Sequence, residues 1–210
     1  DTGSRNVAIG VSALSSQNSD TTNYNVAVGY NSGAAITTGI NNTLIGGLAG
    51  DSLTDADYNT AVGFGALGND VLGSRSVAIG FDALTTQNPA TAANMYNVGV
   101  GFNAGQQITT GTHNTLVGGL AGDALTTGAF NTAFGYAALS TEDTANNNTA
   151  FGYAALTTLN GGTQNVAVGQ SAAAAMTTGN QNTIIGTNAG DALTDADLNV
   201  AVGYAALSSD

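Results

Sequence analysis

The side chains able to do chemistry are few and mostly acidic. The 210 residues hold fourteen aspartates and glutamates, two arginines and one histidine, with no lysine and no cysteine. Asp51, Asp55 and Asp57 form a D-x-x-x-D-x-D motif, and Asp191, Asp195 and Asp197 repeat it. Carboxylate oxygens along a turn are the ligand set that calcium prefers, so these six are the metal candidates. The middle of the chain keeps only Asp123, with Thr127 and Ala129 in the other two places, which favours solvated acidic turns. Paired carboxylates also cleave glycans, but no acid pair stands out from the pattern around it. His113 takes a place held elsewhere by Asn41 and Gln181, as a polar corner residue would and a general base would not. No catalytic residue and no cofactor are expected.

The net charge of −12 argues against nucleic acid, whose affinity rests on Lys and Arg meeting phosphate. It argues equally against anionic lipid. Self-repulsion of this kind keeps a long apolar rod dispersed. Without cysteine there is neither a disulfide framework nor a thiolate metal site. No apolar run reaches about 18 residues, so this segment is not expected to insert in a membrane. The chain opens at Asp1 without methionine and closes at Asp210 in mid-repeat, which reads as a processed product or an excerpt.

What must position these residues is a repeat. The phrase Asn-(Val/Thr)-(Ala/Leu)-(Val/Ile/Phe)-Gly recurs twelve times, beginning at Asn6, Asn25, Asn42, Asn59, Ser76, Asn97, Asn114, Asn131, Asn148, Asn165, Asn182 and Asn199. Nine of the intervals are seventeen residues, one is nineteen and one is twenty-one. A short fixed period means a stack in which each unit buries its apolar face on the next.

With the motif Asn as rung position one, position two is Val or Thr throughout and position four is Val, Ile or Phe. Such residues two apart mark a strand. Position three, on the other face, is Ala in eight copies. A strand apolar on both faces is usually buried on both, so another copy of the chain is the expected cover. Glycine at position five, from Gly10 to Gly203, implies positive φ or close backbone approach at a corner. The column of Asn at position one is expected to cap backbone groups before the strand. Glycines such as Gly39 and Gly111 at position fifteen mark a second corner, giving two short strands and two turns per rung.

Four kinds of rung recur in order, making one repeat domain, 1–210, of three super-repeats at about 1–70, 71–142 and 143–210. Where position three is large (Leu44, Leu116, Ile184), position six is small or polar; elsewhere position six is mostly aromatic. Leu at position nine likewise alternates with an aliphatic residue at position twelve, as Leu14 does with Ile36. Volume exchange of this kind is what a shared core requires. The thirteen aromatics fall on positions four, six and seventeen and are expected in core or interface packing, with a glycan-binding ladder as the other reading. The two long rungs stretch one corner, where Asn18, Asp20, Asn88 and Pro89 are the candidates for a recognition surface.

Asn6-Val-Ala-Ile-Gly10, Asn25-Val-Ala-Val-Gly29 and Asn199-Val-Ala-Val-Gly203 resemble the head repeats of trimeric autotransporter adhesins of the YadA type. Asn131-Thr-Ala-Phe-Gly-Tyr-Ala-Ala-Leu139 is similar to repeats of phage tail fibres. The resemblance covers essentially the whole chain, although adhesin heads repeat at about fourteen residues. It implies a left-handed parallel β-roll, trimerised in parallel on a virion or bacterial surface. The expectation is therefore an all-β parallel β-solenoid of about twelve rungs, roughly 55–60 Å long at about 4.8 Å per rung. Its expected function is that of an extracellular adhesive or structural fibre, a homotrimer meeting a host-surface glycan or protein. A polysaccharide-active tailspike and a calcium-dependent or ice-binding solenoid are the alternatives.

Overall fold

The computed structural model describes residues 5–18, 22–141 and 144–208. Each copy of the motif forms a three-residue strand, because two β-branched or aromatic residues flank one small residue. In chain order the first strands are β1 (Val7–Ile9), β2 (Val26–Val28), β3 (Thr43–Ile45), β4 (Thr60–Val62), β5 (Gly73–Ser74), β6 (Val77–Ile79) and β7 (Ala93–Asn94). The rest are β8 (Val98–Val100), β9 (Thr115–Val117), β10 (Thr132–Phe134), β11 (Thr149–Phe151), β12 (Val166–Val168), β13 (Thr183–Ile185) and β14 (Val200–Val202). Twelve of them form one parallel sheet in chain order, β1-β2-β3-β4-β6-β8-β9-β10-β11-β12-β13-β14. The register is position on position: Val26 lies against Thr43, Ala27 against Leu44 and Val28 against Ile45. The molecule is an all-β parallel β-solenoid, a β-roll of about eleven turns, with no helix among the described residues.

The other side of each rung is not the second strand that the sequence suggests. Positions five to twelve form overlapping turns, as in Ala13 N–H to Gly10 O, Ser15 N–H to Ser12 O and Gln17 N–H to Leu14 O. Positions seven and nine both lie at positive φ, for example Leu48 at 58° and Leu67 at 52°. Positive φ at the third residue of a four-residue turn is the type II arrangement, and its alternation prevents an extended path. These turns still stack, since Gly33 N–H donates to Ala49 O and Ala35 N–H to Asp51 O in the next rung. Outside the main sheet, the second long corner pairs with the rung before it, where β7 meets β5.

Position three points into the roll with positions eight, nine and twelve, and together they make one continuous core. The exchange between positions nine and twelve is real packing. A Cβ on Gly33 would come within 2.8–3.1 Å of Leu44, Leu14 and Ile36, so the glycine makes the room they fill. The exchange between positions three and six has another cause, because Leu44 is buried while Phe64, at position six, is 52% exposed. Gly47 is small because the ring of Phe64 leans over it, 3.3 Å from where a Cβ would stand.

Two columns tie the rungs together. Each Asn Oδ1 accepts the backbone N–H of the next rung's position-one residue, in ten bonds of 2.8–3.0 Å. Its Nδ2 donates to the carbonyl fourteen residues later, at 2.7–2.9 Å, closing its own rung. Beyond the strand, the position-five glycines stand at φ near +135°, and a Cβ on Gly118 would sit 2.3 Å from the carbonyl oxygen of Gly135.

Gly118→Ala is expected to cost about 3–5 kcal/mol through strain and overlap, whereas Gly47→Ala, facing a movable ring, should cost under about 1 kcal/mol; denaturant melts distinguish them. Asn114→Ala strands the buried N–H of Asn131 and carbonyl of Gly128. It should lower stability by about 2–4 kcal/mol in the same assay.

Candidate functional site

Strand alternation sends positions two and four outward, the Gly corner sends position six the same way, and position seventeen enters the strand from a left-handed residue. All twelve position-seventeen residues have φ between 53° and 65°. The result is an outer face of apolar columns along the whole rod, with Ile45, Ile79, Phe134 and Phe151 at position four and Tyr30, Phe64, Phe81, Phe102, Tyr136 and Tyr153 at position six, all exposed. The aromatics therefore do not belong to the core, contrary to one of the two packing readings. Their rings stack along the rod, with Phe64–Phe81 at 5.7 Å, Phe81–Phe102 at 5.6 Å and Phe134–Phe151 at 4.8 Å between centroids. Within a stack each ring face is covered by its neighbour, and the edges point to solvent. A sugar-stacking ladder needs open faces.

Position seventeen carries every basic side chain of the protein. Arg5, Arg75 and His113 alternate there with Tyr24, Tyr58, Tyr96 and Phe130. The guanidinium of Arg75 lies 4.7 Å from the centre of the Tyr58 ring, and its Nε donates to Asn94 Oδ1 at 2.9 Å. Arg5 lies over Tyr24 and donates to its hydroxyl. His113 lies between Tyr96, tilted at 5.1 Å, and Phe130, stacked at 4.8 Å, exposed, as a surface corner residue.

Three of the metal candidates, Asp55, Asp57 and Asp197, act as braces between rungs. Asp55 Oδ1 accepts from the hydroxyls of Thr37 and Thr38 at 3.0 and 2.9 Å, and Asp57 Oδ1 accepts the Ile40 N–H at 2.8 Å. Asp197 Oδ1 accepts the Asn180 N–H at 2.6 Å, and Asp195 Oδ1 accepts from Thr194 at 3.2 Å. Asp51 and Asp191 lie on the turn side of the rung, away from these corners, and burial raises the Asp51 carboxyl above its usual range. Among the described residues no three acidic, His or Cys side chains converge as a metal set, and the surface has no concave pocket.

Of the corner candidates, Asn18 and Asn88 are exposed, Pro89 is buried, and Asp20 lies outside the described residues. The long corner is ordered by the β5–β7 pair, by Pro89 and by buried Met95. Its Asn94 holds Arg75 in place.

A buried polar chain at position twelve went unnoticed in the sequence. Ser76 breaks the Asn column, and Gln87 fills the gap by accepting from Asn97 Nδ2 at 2.9 Å and donating to Asp70 Oδ2. Asp70 Oδ1 accepts the Gly73 N–H at 2.7 Å. Gln17 does the same service for Asn25 in the first rung, at 2.9 Å. The available signal was a polar residue in a slot that elsewhere holds Ile36, Leu53, Leu125 or Met176. Burial pushes the Asp70 carboxyl up to about 6, against donors from Gln87, Gly73, Leu72 and Val71 that pull it down.

No family model, no curated protein and no solved structure matches this chain.

Because the folded Asp70 binds its proton more tightly than the unfolded one, its stabilising contribution is complete below about pH 4. It is lost as pH rises through about 6, a change on the order of 3 kcal/mol. Asp51, Asp82 and Asp123 are raised in the same direction. Melting temperature should therefore fall between pH 4 and 6. Asp70→Leu, which copies the adjacent buried pair Leu156 and Leu159, should flatten that fall.

Proposed function

We propose that this chain is a segment of a structural or adhesive fibre. In this reading it is a left-handed β-roll rod that assembles with two further copies as a parallel homotrimer. It stands on a virion or bacterial surface and presents contacts to a host or neighbouring cell.

The observation that supports the reading best is the outer face of the twelve-stranded sheet. Inner and outer faces are both apolar, and only the inner one is covered by the chain itself. An apolar strip running through twelve rungs exceeds what a monomer ordinarily leaves in water. A second copy of the same repeat has the matching length and period. The rest of the surface is acidic, which opposes further, disordered association.

A rod of this kind works mechanically. Parallel ladders and the Asn column resist bending, and three copies about one axis multiply weak contacts at a corner or an end. No observation favours the tailspike, calcium-dependent or ice-binding alternatives over this one.

Light scattering should give a mass near three times 20.6 kDa, unchanged by a calcium chelator. A folded monomer at all concentrations would overturn the fibre reading. Unfolding on chelation would instead make the aspartate corners metal sites.

A further inference from the structure

Arg75 and Asp82 flank the same strand, β6, at opposite edges of the outer face. Arg75 precedes it at position seventeen, and Asp82 follows the Gly80 corner at position seven. The side chain of Arg75 is exposed, and that of Asp82 is partly so. Among the described residues of its own chain, neither has an ionic partner. The Arg75 side chain bonds Asn94 and lies on the Tyr58 ring, while the Asp82 carboxylate rests against Gly65, where a Cβ would overlap its Oδ1. Gly65 is the one glycine among the twelve position-seven residues. Desolvation raises the Asp82 carboxyl. Across one strand and one corner the two residues are about 15 Å or more apart, so they do not reach each other within a chain.

We propose that, where the outer faces of two copies in that trimer meet, Arg75 of one copy pairs with Asp82 of the next. The proposal rests on the parallel trimeric reading above and adds the residue pair that joins the seam. Strands run across the rod, so residues flanking one strand lie at one height along it. A head-to-tail ring brings the position-seventeen edge of each copy against the position-seven edge of its neighbour at that height.

Charge complementarity selects this register. Among the described residues of the position-seventeen and position-seven columns, Asp82 is the one acid, and an arginine flanks the same strand. A slip of one rung sets Arg75 against Gly65 or Asn103 instead. The fourth rung of each super-repeat agrees in volume, with Tyr58 at the height of Gly65, Phe130 at that of Ala137 and Leu198 at that of Ala205. Asn94, from the extended corner, fixes the guanidinium that makes the contact. The insertion is thus assigned a part in assembly.

The absence of native cysteine makes the test clean. R75C/D82C, treated with a short bismaleimide that matches the reach of an Arg–Asp pair, should give a covalent trimer on denaturing gels; a direct disulfide would need Cα atoms within about 7 Å. Neither single cysteine variant should give one. As a check free of cross-linking, R75D and D82R should each raise the concentration at which trimers dissociate by about tenfold or more, and R75D/D82R should restore it. A wild-type trimer with no covalent trimer from R75C/D82C and no rescue by the swap overturns the register and leaves the trimer. A covalent dimer from R75C alone overturns it in favour of a twofold contact. A monomeric wild type overturns the fibre reading beneath it.

Discussion

The corner before each strand sets the terms for the whole rod. Backbone there turns tightly in the interior, where water cannot supply a partner, and an unpaired N–H or C=O costs as much as a lost hydrogen bond. The position-one amide meets both needs, with its oxygen facing the next rung and its nitrogen closing its own. Because each amide serves two rungs, the period is locked to the side chain, and a rung cannot shift without stranding buried groups. The glycine at position five is the other half of the constraint, since the next rung's carbonyl occupies the space of a Cβ.

Where that column is interrupted, the chain repairs it from another direction. Ser76 is too short to reach its neighbour, and Gln87 reaches across from position twelve to hold Asn97. The repair places a second polar group, Asp70, in the core. A buried carboxylate resists ionisation, so this part of the stack carries a dependence on pH that the aliphatic rungs lack. Stability along the rod is therefore not uniform.

The outer face follows from the same geometry. A strand with its small residue inward necessarily turns its β-branched and aromatic residues outward, and stacking at one-rung spacing brings like on like. Phe64, Phe81 and Phe102 stack because the repeat places them there. In the proposed assembly these columns meet those of neighbouring copies, and the few charges at the edges choose the alignment.

Much of the architecture was legible in the residues. The period, the strand at positions two to four, the corner glycines and the Asn column all have local causes, so their pattern carries over directly into the ladder. The second strand was misread because left-handed residues such as Leu48 and Leu67 look like ordinary apolar strand residues in a sequence. The exchange between Leu44 and Gly47 was misread for a related reason: one faces in and the other out, and a one-dimensional pattern does not tell the sides apart. The partnership of Asp70, Gln87 and Asn97 joins side chains of successive rungs that the repeat pattern does not mark as partners. By itself the sequence determined that the chain stacks and at what period, because those depend on contacts repeated in every rung. Tertiary structure alone decided which side faces water and which polar groups share the interior, because those depend on how the chain closes on itself between repeats.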